Sequence, residues 1–75
     1  MVKVINYDYN KLRGRIKEKF GTQENFAEAL EIGTVSLSKR LNCSLEFSQN
    51  EINRAVDVLD IPREQIPDYF FTIRV

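Results

Sequence analysis

Residues that could support catalysis are few in this chain. There is no His, so the usual general base at neutral pH and the commonest metal ligand are both missing. The single Cys, Cys43, cannot form an internal disulfide or a cysteine-rich zinc cluster, and we expect an exposed thiol without a role there. Glu24 and Glu28 are spaced as neighbours on one helix face, but no nucleophile accompanies them. We therefore predict no catalytic, metal-binding or cofactor-binding residues, and a protein that is not an enzyme.

The remaining chemistry is charge, and the charge is unevenly distributed. The chain of 75 residues has 11 Lys and Arg and 11 Asp and Glu, so its formal net charge is zero. Residues 1–20 nonetheless carry six basic and two acidic side chains, residues 21–35 carry three acidic ones, and residues 36–45 carry only Lys39 and Arg40. Nucleic-acid-binding proteins are usually basic overall, although the local field at one face matters more than the total. A solvated helix face is the simplest interpretation of the basic run at residues 11–19.

Apolar spacing predicts the first of five short helices that position these charges. Leu12, Ile16 and Phe20 recur every four residues and form one helix face. Asp8 is the expected N-cap, and Gly21 is expected to end the helix.

The next three helices are predicted in the same way. Thr22 caps a second helix of about eight residues. After a break at residues 31–33, a third helix covers residues 34–41 with Leu37 and Leu41 inward. Ser48 and Glu51 form a capping box at the start of the fourth helix. The predicted core consists of the apolar residues on these faces: Leu12, Ile16, Phe20, Phe26, Leu30, Leu37, Leu41, Phe47, Ile52, Val56 and Leu59.

The two ends of the chain are predicted to be extended. Pro62 is expected at the first position of a short final turn, and Pro67 is expected to end that turn. In residues 2–5 and 72–75, every second residue is apolar or aromatic, which is the period of a strand. We therefore predict that the two segments pair as a two-stranded ribbon, either within one chain or by exchange in a homodimer. No apolar stretch approaches the roughly 18 residues of a membrane span. We expect no membrane partner.

The second and third helices are separated by three residues, which predicts a tight helical corner. In the third helix the two leucines face inward, and the other side carries small, polar and basic residues. This asymmetry suits insertion into the major groove of DNA.

The sequence of this corner resembles a known DNA-binding motif. TQENFAEAL at residues 22–30 and SLSKRLN at residues 36–42 resemble the helix-turn-helix of the lambda-repressor-like superfamily. The chain is also similar to small Cro-like regulators of Gram-positive phages and prophages, through YDY at 7–9, KLRGRI at 11–16, FGTQ at 20–23 and YFF at 69–71. The resemblance implies a single all-α, lambda-repressor-like DNA-binding domain over residues 1–75. In two departures, Glu31 replaces the usual turn Gly and Gly33 replaces the usual Ser or Thr cap.

The resemblance also implies which residues contact DNA. Four match positions that face base edges: Thr34, Val35, Ser38 and Lys39. Four others are expected at backbone phosphates: Gln23, Ser36, Arg40 and Asn42. A Lys can donate to guanine O6 or N7, and a Val can pack on a thymine methyl. Asn42 could equally cap the third helix, and without the resemblance these residues would form an ordinary solvated face.

Two functions follow from these observations. The first is a sequence-specific DNA-binding transcription regulator, a Cro-like repressor in the lysis–lysogeny switch of a phage or prophage, whose partner is double-stranded operator DNA. The second uses the same scaffold as a protein-binding module that modulates a partner repressor. We predict the first function, because the resemblance covers nearly the whole chain, and keep the second as the alternative, which the neutral total charge and the acidic second half of the chain favour. Both place the protein in the cytoplasm of a bacterial host, near the nucleoid.

Overall fold

A computed structural model describes residues 6–74, which fold as an all-α domain. Its helices are α1 Asn10–Phe20, α2 Gln23–Leu30, α3 Thr34–Leu41, α4 Gln49–Val58 and α5 Ile66–Phe70, with a 3₁₀ turn at Arg63–Gln65. The predicted class of five short helices is confirmed. Among residues 6–74, no helix is long and apolar enough to cross a membrane.

Several helix boundaries follow from hydrogen bonds that the sequence indicates. Thr22 is the N-cap of α2, and its side chain accepts a hydrogen bond from Asn25 N at 3.1 Å. Ser48 and Glu51 form the predicted capping box of α4, with each side chain accepting from the backbone N–H of the other. Gly21 ends α1 with φ 79°, a left-handed conformation that glycine adopts at little cost.

Three predicted positions near helix ends are wrong. Tyr9 is the N-cap of α1, and Asp8 lies one residue earlier, where its Oδ1 accepts from Asn10 N at 2.9 Å. Pro62 is the N-cap of the 3₁₀ turn rather than its first residue. Pro67 does not end the final turn but lies in the first turn of α5. Proline is tolerated there because the first N–H groups of a helix have no intrahelical partner.

The core lies between the inward faces of the helices. Its fully buried large side chains are Leu12, Ile16, Phe26, Leu37, Leu59 and Phe70. Four predicted core residues are half-buried and pack around it: Phe20, Phe47, Ile52 and Val56. Ile61, Tyr69 and Phe70 are also buried, although the predicted core did not include them. Each such large apolar side chain stabilises the fold by roughly 1.5–3 kcal/mol when fully buried.

The two ends of the described segment, residues 6–74, meet in a short antiparallel contact. A bridge pairs Tyr7 with Ile73. Two backbone hydrogen bonds flank it: Asp8 N donates to Thr72 O at 2.7 Å, and Arg74 N donates to Asn6 O at 2.9 Å. This pairing joins residues of one chain. The predicted strand at residues 2–5 and residue 75 lie outside the described residues, and the homodimer stays a prediction.

Candidate functional site

The corner between α2 and α3 determines how α3 is presented. Glu31 is the C-cap of α2 and has φ 60° and ψ 37°, the left-handed conformation for which a glycine is usual. A carboxylate oxygen of Glu31 accepts a hydrogen bond from Arg54, so the corner is attached to α4. Gly33 is the N-cap of α3, and Thr34 is therefore the first residue of that helix.

The residues predicted to face base edges lie on the outer side of α3. Thr34, Val35 and Lys39 are exposed, and Ser38 is half-buried. Val35 is 69% exposed. One turn of helix separates Val35 from Lys39, so the two share a face. The structure brings this set together, and its contact with DNA stays a prediction.

The residues predicted at phosphates have different surroundings. Gln23 is half-buried in the first turn of α2, and Asn42 is exposed at the C-cap of α3. The Asn42 Oδ1 accepts a hydrogen bond from Arg13 at 3.2 Å. Ser36 is half-buried, and its carbonyl oxygen accepts from Arg40 at 2.8 Å. Asn42 and Arg40 therefore have partners within the protein.

Arg40 connects α3 to the start of α4. Its Nε donates to Glu51 Oε1 at 2.8 Å, and the two side chains are 17% and 16% exposed. Burial alone would raise the pKa of Glu51, but hydrogen bonds from Arg40 and Ser48 outweigh burial and hold that pKa below its ordinary value. Removing Arg40 from this pair would leave a largely buried carboxylate without its cation. Glu51 and the Ser36 carbonyl thus hold Arg40 in place, and its contact with a phosphate stays a prediction.

The basic run of α1 also makes contacts within the protein. Four of its cations contact residues outside α1: Lys11 with Asp68 and the ring of Tyr69, Arg13 with the Leu41 carbonyl, Arg15 with the Leu59 carbonyl, and Lys19 with Asp60. The 2.9 Å contact of Arg15 lies at the C-terminal end of α4, where unpaired carbonyl oxygens favour a cation. The simplest interpretation of this run, a solvated face, is therefore incomplete, because these side chains attach α1 to the other helices.

A cluster of aromatic rings lies beside the pairing of Tyr7 with Ile73. Neighbouring ring centres are 5.5 to 6.2 Å apart in the pairs Tyr7–Tyr9, Tyr7–Phe71, Tyr9–Phe47 and Phe47–Phe70. Much of the cluster is buried, but Phe71 is 50% exposed and the neighbouring Ile73 is 62% exposed. We call Tyr7, Phe71 and Ile73 the aromatic patch. Exposed aromatic side chains are enriched at protein–protein interfaces and often dominate their binding energy.

A small cavity opens beside the aromatic patch, and we call it the slot. It encloses about 90 Å³ and is lined by Tyr7, Tyr9, Glu46, Phe47, Ile52, Phe70 and Phe71. Glu46 is the one charged residue in that lining. Burial, with smaller electrostatic contributions from Cys43, Tyr7 and Glu46, raises the pKa of Tyr9 to about 12. The Tyr9 hydroxyl therefore keeps its proton at neutral pH.

Cys43 is not the exposed thiol that we expected. It is half-buried, and its Sγ accepts a hydrogen bond from the Tyr7 N–H at 3.2 Å. The thiol thus attaches the beginning of the described chain to the residues that follow α3. Within residues 6–74, no group of His, Cys, Asp and Glu side chains could hold a metal ion.

The aromatic patch was not among the surfaces predicted from the sequence. Its residues come from the two ends of the described chain, and only the fold brings them together. The one available signal was the alternation of Phe71 and Ile73 with Thr72 and Arg74, which indicated an extended segment with one apolar side.

Comparison with known proteins gives a family and a solved structure. A family model described as "Protein of unknown function (DUF739)" matches residues 5–73. The chain is also similar to the solution structure of the modulator of repression (MOR) of the temperate bacteriophage TP901-1 from Lactococcus lactis. The two chains are 44% identical, the match covers 88% of this chain and 89% of that chain, and the TM-score is 0.77. A search of curated proteins gives no match.

Proposed function

The chain belongs to the DUF739 family, and from that premise we propose that it regulates a temperate-phage repressor by binding the repressor protein. The likeness to a modulator of repression supports a role in the lysis–lysogeny decision. At 44% identity over 88% of this chain, the likeness extends well beyond the fold. Contact with the repressor itself is the most direct way to modulate repression.

The proposal rests chiefly on how few basic side chains of α3 are free of ion pairs within the protein. Of the two basic residues of α3, Arg40 is paired with Glu51, and only Lys39 has no ion pair with a described residue. Each neutralised phosphate contributes about −0.9 to the slope of log affinity against log salt, and a DNA binder with a steep salt dependence makes roughly six to ten phosphate contacts. One cation on the outer face of α3 is far from that number.

The acidic side chains next to α3 also disfavour DNA binding. Glu24 and Glu28 are exposed on α2, the helix that precedes α3 in the corner. Glu24 lies in the first turn of α2, near the position from which Gln23 would reach a phosphate. A carboxylate there opposes the approach of a DNA backbone.

The aromatic patch supplies the contact surface in this proposal. Phe71 and Ile73 expose half or more of their surface, and the Tyr7 ring meets the Phe71 ring edge-on with ring centres 6.2 Å apart. A few such residues carry most of the energy in a typical protein interface. Truncating a central aromatic anchor commonly costs about 2 kcal/mol or more, which weakens binding roughly thirtyfold.

Direct operator binding is the second candidate function. The outward side of α3, which exposes Thr34, Val35 and Lys39, favours it. In that case Lys39→Ala would weaken operator binding by about 1–3 kcal/mol and blur the preference at one base pair.

One experiment with two ligands tests the proposal. The full chain is titrated against the repressor of the same phage and, separately, against duplex operator DNA, over a salt series. Phe71→Ala removes a patch residue, and Lys39→Ala is the matched control on α3. Thermal melts of both variants establish that each is folded.

We expect binding to the repressor that Phe71→Ala weakens at least tenfold and Lys39→Ala leaves within about twofold, with no specific operator binding by the chain alone. Tight operator binding that falls steeply with salt and is lost in Lys39→Ala would overturn the proposal and establish the second candidate.

A further inference from the structure

The slot has walls that suit a flat, partly apolar group. Six of the seven side chains that line it are aromatic or aliphatic, and the ring planes of Tyr9 and Phe47 stand at 89° to each other. Its volume of about 90 Å³ equals the liquid volume of roughly three water molecules. This space accommodates the planar head of one side chain and the end of its stem.

The polar groups of the slot favour a cation. Glu46 is exposed and forms no ion pair with another described residue. Tyr9 and Glu46 both line the slot. No hydrogen bond joins the Tyr9 hydroxyl to another described residue. A carboxylate and a protonated hydroxyl thus offer oxygen acceptors beside a set of aromatic faces.

An apolar anchor fits this environment poorly. A Leu or Met side chain would cover Glu46 without compensating its charge, and burying an uncompensated carboxylate is costly. A guanidinium would satisfy the carboxylate and lie against aromatic rings, which attract cations on their faces. Arginine is also more weakly hydrated than lysine, so less hydration is lost when it enters a small space.

We propose that the slot receives one arginine side chain of the partner repressor, with the guanidinium among the aromatic rings and paired with Glu46. This inference rests on the proposed function, because it names the chemistry by which the same surface recognises its partner. Proteins that bind operator DNA carry arginines for phosphate and base contacts, so a repressor presents suitable side chains.

The first test uses small probes and does not need the repressor. N-acetyl-arginine methylamide is titrated into the full chain and compared with the citrulline analogue, which is uncharged and of nearly the same shape, and with the norleucine analogue. Ring resonances of Tyr7, Phe47 and Phe71 are followed by NMR up to about 50 mM probe, a range suited to millimolar affinity. We expect shifts from the arginine probe that Glu46→Gln reduces severalfold. Equal shifts from citrulline or norleucine, or no shifts from arginine, would overturn the inference.

The second test uses the repressor and a matched pair of variants. Glu46→Gln removes the slot carboxylate, and Glu64→Gln removes an exposed carboxylate on the 3₁₀ turn, outside the slot lining. We expect Glu46→Gln to weaken repressor binding about tenfold and to lessen its salt dependence, while Glu64→Gln changes neither. A wild-type chain that fails to bind the repressor refutes the proposed function, and the arginine probe still tests the slot. If Glu46→Gln binds the repressor as tightly as the wild-type chain does, the slot inference is refuted and the proposed function is not.

Discussion

The left-handed backbone of Glu31 predicts which of two substitutions, Glu31→Gly or Glu31→Ala, gives the more stable protein. Two substitutions, Glu31→Gly and Glu31→Ala, both remove the ion pair with Arg54, so they differ only in what the backbone prefers. A residue with a Cβ loses about 1–2 kcal/mol in the left-handed region, where Glu31 has φ 60°. Glycine avoids that strain but loses about 0.5–1 kcal/mol through its greater freedom in the unfolded chain.

The balance favours glycine at this position. We expect Glu31→Gly to be about 0.5–1 kcal/mol more stable than Glu31→Ala. In a right-handed helix the order would be reversed by a similar amount. The lost ion pair contributes equally to both variants, and Arg54→Ala measures it separately. Because the two side chains are 48% and 72% exposed, the pair is expected to be worth about 1 kcal/mol or less.

Urea unfolding at neutral pH and thermal melts check this prediction. In a domain of this size about 1 kcal/mol shifts the Tm by roughly 4–8 °C, so the difference is measurable. An alanine variant as stable as the glycine variant, or more stable, would show that Glu31 is not left-handed and that the corner before α3 is built differently.

Three further predictions concern the rest of the fold. Because the folded-state pKa of Glu51 is lowered, its interaction with Arg40 stabilises the protein above about pH 4.5 and is lost as the pH falls through the folded value. Urea unfolding from pH 7 to pH 3 should therefore show a smaller loss of stability for Glu51→Gln than for wild type. Gly21→Ala should cost about 1 kcal/mol in the same assay, since φ is +79° and no neighbouring atom would meet the new Cβ. Truncation after Phe71 removes two backbone hydrogen bonds and should cost about 1–3 kcal/mol, with the mass in sedimentation unchanged because the pairing lies within one chain.

The helices could be predicted because their limits depend on nearby residues. The capping box of Ser48 and Glu51 and the cap at Thr22 involve residues three positions apart, so the sequence contains the whole interaction. Pro67 was misplaced because proline both ends helices and begins them, and only the surrounding backbone decides between the two.

The surface chemistry could not be predicted in the same way. The sequence shows that Arg15 and Arg40 are basic, but their partners at Leu59 and Glu51 are 44 and 11 residues away and become neighbours only through packing. A basic run therefore resembles a phosphate-binding face until the fold shows what each cation contacts. The aromatic patch could not be predicted for the same reason, because the pairing of Tyr7 with Ile73 is a tertiary contact.

The most direct test of the central claim is to map the surface of this protein that its ligand occupies. Amide and aromatic resonances of the isotope-labelled full chain are followed while unlabelled repressor is added, and a parallel sample receives operator duplex. The proposed function predicts that repressor shifts Tyr7, Phe71 and Ile73, leaves Thr34 and Lys39 unchanged, and that the duplex shifts neither group at physiological salt. Shifts of Thr34, Val35 and Lys39 on addition of the duplex, with no response to repressor, would contradict it.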